Sequence, residues 1–83
     1  MEPPPLSFDW DDGNRHTCRK HGVSIEEIEA FFAATPRIAP DHKHSLTEER
    51  FIAIGRNSQG RPRFVAFTFR KKDDQRIIRP ISA

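Results

Sequence analysis

The stretch R-F-I-A-I-G-R-N-S-Q-G-R-P-R-F-V-A-F-T-F-R-K-K-D-D-Q-R-I-I-R-P-I-S-A, residues 50–83, decides the fold. Residues 50–56 are a short apolar run rich in β-branched and aromatic side chains, which predicts a strand. Asn57-Ser58-Gln59-Gly60 is a turn signal, and residues 62–69 predict the returning strand. Lys71-Lys72-Asp73-Asp74 predicts a second turn, and residues 75–81 a third strand. Pro80 has no N–H to give to a ladder, so it belongs at a sheet edge or a strand end. Read together, these segments form an antiparallel meander.

Upstream of the meander the apolar period changes. Residues 41–49 are polar and predict a loop, and residues 37–39 an edge strand. Ser24-Ile25-Glu26-Glu27 has the form of a capping box, with Ser24 accepting from the Glu27 amide while Glu27 reaches back. Ile25, Ile28, Phe31 and Phe32 recur at helical spacing, so this helix buries one face. Thr35-Pro36 ends it, because the residue before proline avoids the α region. A shorter helix precedes it, capped by Asp11 or Asp12 and running toward Lys20, with Gly22 suited to the left-handed position after its end. Leu6, Phe8 and Trp10 alternate with Ser7 and Asp9 as in a short strand. Residues 1–7, with three consecutive prolines, form a flexible lead-in, and residues 8–83 one domain. The expected fold is α+β: a short N-terminal strand, two helices, then a three- to four-stranded antiparallel meander.

Composition narrows the function. A chain of 83 residues is one small domain, of a size that buries only about 60% of its unfolded surface. Its single cysteine, Cys18, makes no intrachain disulfide and fits a reducing compartment. No apolar run approaches the roughly 20 residues of a membrane span, and the N-terminus lacks the basic and apolar regions of a signal peptide. The expectation is a soluble cytoplasmic protein without a membrane. The net charge of +2 is unevenly spread. Residues 1–49 carry ten acids against five Lys/Arg, or −5, while residues 50–83 carry nine Lys/Arg against two acids, or +7. Clustered cations bind phosphate backbones whatever the net charge, although a basic half by itself is common.

Phe51, Ile52, Ala53 and Ile54 are apolar on both faces of their strand, and residues 64–69 nearly so. An antiparallel sheet with one wet face usually alternates apolar and polar residues. Two short helices cover one face. The second needs its own cover, either Phe32, Leu46 and loop residues folding over it or a partner, and a partner is the expected solution.

Several phrases occur in a characteristic order: F-D-W-D (residues 8–11), K-H-G-V-S (20–24), E-E-R-F (48–51), G-R (55–56), G-R (60–61) and R-I-I-R-P-I-S-A (76–83). The ordered set resembles the BrnT toxins of type II toxin–antitoxin systems, which are similar in fold to RelE-type microbial ribonucleases. The resemblance implies RNA cleavage, growth arrest, and neutralisation by a ribbon-helix-helix antitoxin that binds its own operator, so that DNA is contacted through the antitoxin. A homodimer or a heterotetramer with the antitoxin fits this arrangement. The resemblance also implies an arginine and a covering helix beyond the I-S-A phrase, which the 83 residues do not include. A degenerate, non-catalytic domain that only binds its antitoxin is therefore the alternative reading, and a general nucleic-acid-binding module a third.

Metal-independent RNA cleavage needs a base for the 2′-OH, cations for the pentacoordinate phosphorane and an acid for the leaving 5′-oxygen. No cofactor is expected. The candidates for catalysis are His21 as proton carrier, with Lys20, Arg50, Arg56 and Arg79 stabilising charge. Arg61, Arg63, Arg70, Arg76 and Trp10 are candidates for RNA binding. Each has a plainer role. His21 can cap the first helix against its dipole, Arg50 can pair with Glu48 or Glu49, and Arg61 can be a solvated surface residue. Phe31, Phe32, Phe51, Phe64 and Phe67 are expected in the core, leaving Trp10 as the open case for base stacking. The chain has no tyrosine to act as a phenolic acid or base. His16, Cys18, His21, His42 and His44 do not form the paired spacing of a zinc site. A nucleophilic role for Cys18 is not expected, since acids in the first helix would not depress its pKa, and Gly55 and Gly60 match no nucleotide fingerprint.

Overall fold

A computed structural model describes residues 6–44 and 48–83. The proline run at residues 3–5 and Leu46, part of the alternative to a partner as cover for the sheet, lie outside the described residues. The elements in chain order are α1 (Asp12–Arg19), α2 (Ile25–Ala33), β1 (Arg37–Pro40), a 3-10 turn (His42–His44), β2 (Phe51–Arg56), β3 (Pro62–Lys72) and β4 (Gln75–Ser82). The fold is α+β, with both helices preceding a four-stranded antiparallel sheet in the order β1-β2-β3-β4. The alternating segment at residues 6–10 contracts to one parallel bridge, Phe8 to Ile78. Two bonds make this bridge: Asp9 N donates to Ile78 O at 2.8 Å, and Ile78 N donates to Ser7 O at 2.9 Å.

Local chemistry explains the element ends. Asp11 caps α1 by accepting from the Asn14 amide at 2.9 Å, while the Asn14 side chain accepts from the Asp11 amide at 2.7 Å. This reciprocal pair satisfies two of the amides that a helix start leaves open. Gly22 follows α1 at φ 83°, a region that costs glycine little. Ser24 caps α2 by accepting from the Glu27 amide at 3.0 Å. The Glu27 carboxylate does not reach back as a capping box requires. It accepts instead from Arg63 Nε at 2.8 Å and Asn57 Nδ2 at 3.2 Å, because β3 brings a guanidinium within reach. That double contact holds the Glu27 carboxyl below its usual range, Arg63 contributing most and Asn57 next. The second turn of the meander is tighter than its sequence suggests. β3 runs on through Lys71 and Lys72, and Asp73 and Asp74 alone turn at φ 52° and 63°. Two consecutive positive φ angles are the signature of a two-residue hairpin turn whose twist matches its strands.

The core lies between α2 and one face of the sheet. Ile28, Phe31 and Phe32 of α2, with Cys18 and Val23, pack on Ala53, Val65, Phe67 and Ile78. The Phe32 ring meets Phe67 edge-on at 5.0 Å and Phe8 at 5.8 Å. Gly55 allows the close approach of α2, since a Cβ there would lie 3.2 Å from the Phe31 ring. Phe32 is thus committed to the helix side and does not cover the second face.

Register assigns that second face. Ala53 and Val65 are paired and buried, so the alternate residues Ile52, Ile54, Phe64 and Ala66 point away from the helices. Phe64 is 62% exposed and Ile54 36%. The expectation that Phe64 belongs to the core is corrected by this register, because its partner Ile54 faces outward with it. β4 carries a bulge where β3 passes from Ala66 to Phe67, and Pro80 stands opposite Phe67 beside it. A proline fits there because a bulge interrupts the ladder.

Candidate functional site

β4 and α1 build one wall each of a groove of about 360 Å³. Its charged lining consists of Arg50, Arg70, Arg79 and Glu48, and Gly13 and Thr17 present the helix side. Register accounts for the arginines. Arg79 stands opposite Thr68, and Arg70 lies two residues further along β3 on the same face. Arg50 enters β2 from the loop. Thr68 is buried beneath this cluster and donates to Glu49 O at 2.6 Å, which ties the Glu48–Arg50 segment to β3.

Each part is held by specific contacts. Arg79 donates to Asp11 Oδ2 at 2.7 Å and to Asp9 Oδ2 at 3.2 Å. These carboxylates, Asp11 first, raise the Arg79 pKa still further, so the guanidinium is a fixed positive charge. Asp11 is in turn held below its usual range, chiefly by the Asn14 amide and then by Arg79. Glu48 accepts from Arg70 Nη1. Asn14 is buried and anchors α1 to the sheet, its Nδ2 donating to Asp9 O at 2.8 Å and Pro80 O at 2.9 Å. Thr17 Oγ1 donates to Ile81 O at 2.6 Å one turn later.

The structure brings only part of the expected site together. Arg50, Arg70 and Arg79 share the groove, whereas the other candidates lie elsewhere. Arg63 stands opposite Gly55 on the helix side and binds Glu27, so it does not join Arg79. Arg56, at the end of β2, donates to Gly60 O at 2.8 Å and closes the first turn. Arg61 is exposed just before β3. Arg76 lies over the Phe69 ring, 3.9 Å from its centroid. Trp10 packs partly buried against the core and donates to Glu29 Oε2 at 3.0 Å, so its indole N–H is already used. Lys20 is the C-cap of α1 and His21 follows it, both exposed. His21 stands in the turn after α1 and is not among the residues that line the groove. Cys18 is fully buried, and burial pushes its thiol up to about 11, the opposite of an activated nucleophile.

Three contributors to the site were not anticipated. Glu48 was considered only as a partner for Arg50, but it binds Arg70. Asn14 was visible as the third residue after an aspartate cap, yet its role depends on carbonyls of Asp9 and Pro80 that are remote in sequence. Thr17 likewise reaches a carbonyl far along the chain.

This geometry defines a small α+β protein with an arginine-lined groove on the sheet, in which Arg70 is paired with Glu48 and Arg79 with Asp9 and Asp11. A family model described as the ribonuclease toxin, BrnT, of type II toxin–antitoxin systems matches residues 10–83. The chain belongs to this BrnT family. Comparison with curated proteins and with solved structures returned no match. The family is one of ribonuclease toxins, which implies an RNA target and an antitoxin partner. Among the described residues, no helix is long and apolar enough to cross a membrane.

Proposed function

We infer that the protein is a metal-independent endoribonuclease of the cytoplasm that arrests growth, and that RNA is cleaved in the groove between α1 and β4. The convergence of Arg50, Arg70 and Arg79 on one face carries this reading. Guanidinium groups bind phosphate in bidentate fashion and stabilise the extra charge of a phosphorane. In the reaction the ribose 2′-oxygen attacks the adjacent phosphorus and gives up its proton. The bond to the 5′-oxygen breaks, that oxygen takes a proton, and a 2′,3′-cyclic phosphate remains on the upstream strand. Glu48 is the carboxylate placed in the groove to accept the first proton, and Arg70 orients it. His21, in the turn after α1, is the competing proton carrier and requires the substrate to extend past the end of that helix. A ribbon-helix-helix antitoxin would neutralise the toxin and carry its DNA contacts.

The purified chain should cleave single-stranded RNA in the presence of a chelator. E48Q should lower the cleavage rate by about a hundredfold or more, with H21A near wild type. H21A inactive and E48Q active would move the proton transfer to His21. Intact RNA after incubation with folded wild-type protein would end the enzymatic reading. It would favour the antitoxin-binding alternative, for which the sheet face left open among the described residues speaks.

A further inference from the structure

The sheet face that the described residues leave open continues past the groove into a different chemistry. Strand register sets Arg37, Ile54 and Phe64 in one row across β1, β2 and β3, and Ala39, Ile52 and Ala66 in the next. Two residues further along β3 on the same face is Thr68, with Arg79 opposite it. From Phe64 to Thr68 is four residues, about 13 Å at strand rise. The path between them is floored by Ala66, which is small.

Phe64 is 62% exposed, more than any other large hydrophobic side chain among the described residues, and its strand partner is Ile54. Its ring contributes little to the core. Cations bound the row on both sides, Arg37 at the β1 end and the arginine groove beyond Ala66. An aliphatic patch alone fits a protein segment. An open aromatic ring reached by a low passage from clustered guanidiniums fits an extended polyanion with flat apolar bases. Sheet-borne aromatics flanked by cations bind single-stranded RNA in this way, the bases stacking and the phosphates following the charge.

We propose that Phe64, backed by Ile54, is a base-stacking subsite for single-stranded RNA, a few nucleotides from the phosphate held by Arg70 and Arg79. The proposal rests on the RNA reading above and adds a residue that selects unpaired over duplex substrate, because only an unpaired base can present its face to the ring.

The test uses the full chain and a short fluorescein-labelled oligoadenylate with methylated 2′-hydroxyls, which binds without being cleaved, together with the same backbone lacking bases. Fluorescence anisotropy should show F64A weakening the base-bearing strand by about tenfold and F64W restoring it. F64A should leave the salt slope unchanged, whereas R70M should reduce it by about one. The strand without bases should bind wild type and F64A equally. Circular dichroism melts establish that F64A is folded. Wild-type affinity in F64A, with R70M weakened, would overturn the stacking subsite and leave the groove standing. No binding of either strand by wild type would overturn the RNA reading and this inference with it. A wild-type dimer in sedimentation that F64A dissociates, with RNA affinity unchanged, would make the face a protein contact instead.

Discussion

Replacing Asn14 with alanine should destabilise the fold by about 3 kcal/mol, because one side chain closes three interactions. Its two amide hydrogens go to Asp9 O and Pro80 O, and its oxygen accepts from the Asp11 amide. The residue is 6% exposed, so water cannot easily replace what is lost. A net loss of about 1 kcal/mol for each group left without its partner gives the total. A chain of 83 residues has roughly 4–12 kcal/mol of total stability at 0.05–0.15 kcal/mol per residue. The variant should therefore melt lower by about 12–24 °C, at 4–8 °C per kcal/mol for a domain of this size. N14D keeps the volume but turns a carboxylate oxygen toward two carbonyls, and should lose at least as much. Urea denaturation followed by circular dichroism measures both variants, with the slope checked against wild type so that a midpoint change reports stability. A loss under about 1 kcal/mol in N14A would refute the view that Asn14 anchors α1 to the sheet. The groove depends on the same contacts, since α1 is one of its walls and a displaced α1 would also separate Asp11 from Arg79.

Other consequences are testable in the same preparations. The Glu27 carboxyl is held below its ordinary value of 4.5 by Arg63 and then Asn57. The charged form therefore stabilises the fold, fully above about pH 4.5, and that contribution disappears as pH falls through the depressed folded value. Wild type should lose about 0.5 kcal/mol more than E27Q on acidification to about pH 3, a small figure because the pair is partly exposed. Equal losses in the two proteins would contradict the assignment. Cys18 is buried with its thiol pushed up to about 11. It should resist a thiol-specific disulfide reagent at about pH 8 in the native protein and react fully in urea. Rapid native labelling would mean that α1 opens from the sheet.

Short-range chemistry was readable along the chain. Apolar period separates helix from strand at Ile28-Phe31-Phe32 and at residues 51–56. Ser24 and Asp11 announce their helix starts, and Gly60 and the Asp73–Asp74 pair their turns. Each signal depends on neighbours within a few residues, where backbone sterics and hydrogen-bond reach decide the outcome. The same locality explains the partial failures. The capping box at Ser24 lost its second half because Arg63, distant in sequence, is a stronger partner for Glu27 than the Ser24 amide. The alternating stretch around Phe8 contracted to a single bridge because how far a strand extends depends on what lies beside it.

The sequence by itself determined the α+β order of elements, the single thiol and a basic C-terminal half. The family likeness came from an ordered set of short phrases. Only the tertiary structure decided which arginines act together. Strand side chains alternate, so a register shift of one residue exchanges the two faces of a sheet. Pairing of Thr68 with Arg79 sends Arg70 and Arg79 to the groove, and pairing of Gly55 with Arg63 sends Arg63 to the helices. The same rule turned Phe64 from an expected core residue into an exposed ring, since that choice is made by the partner strand and not by the phenylalanine.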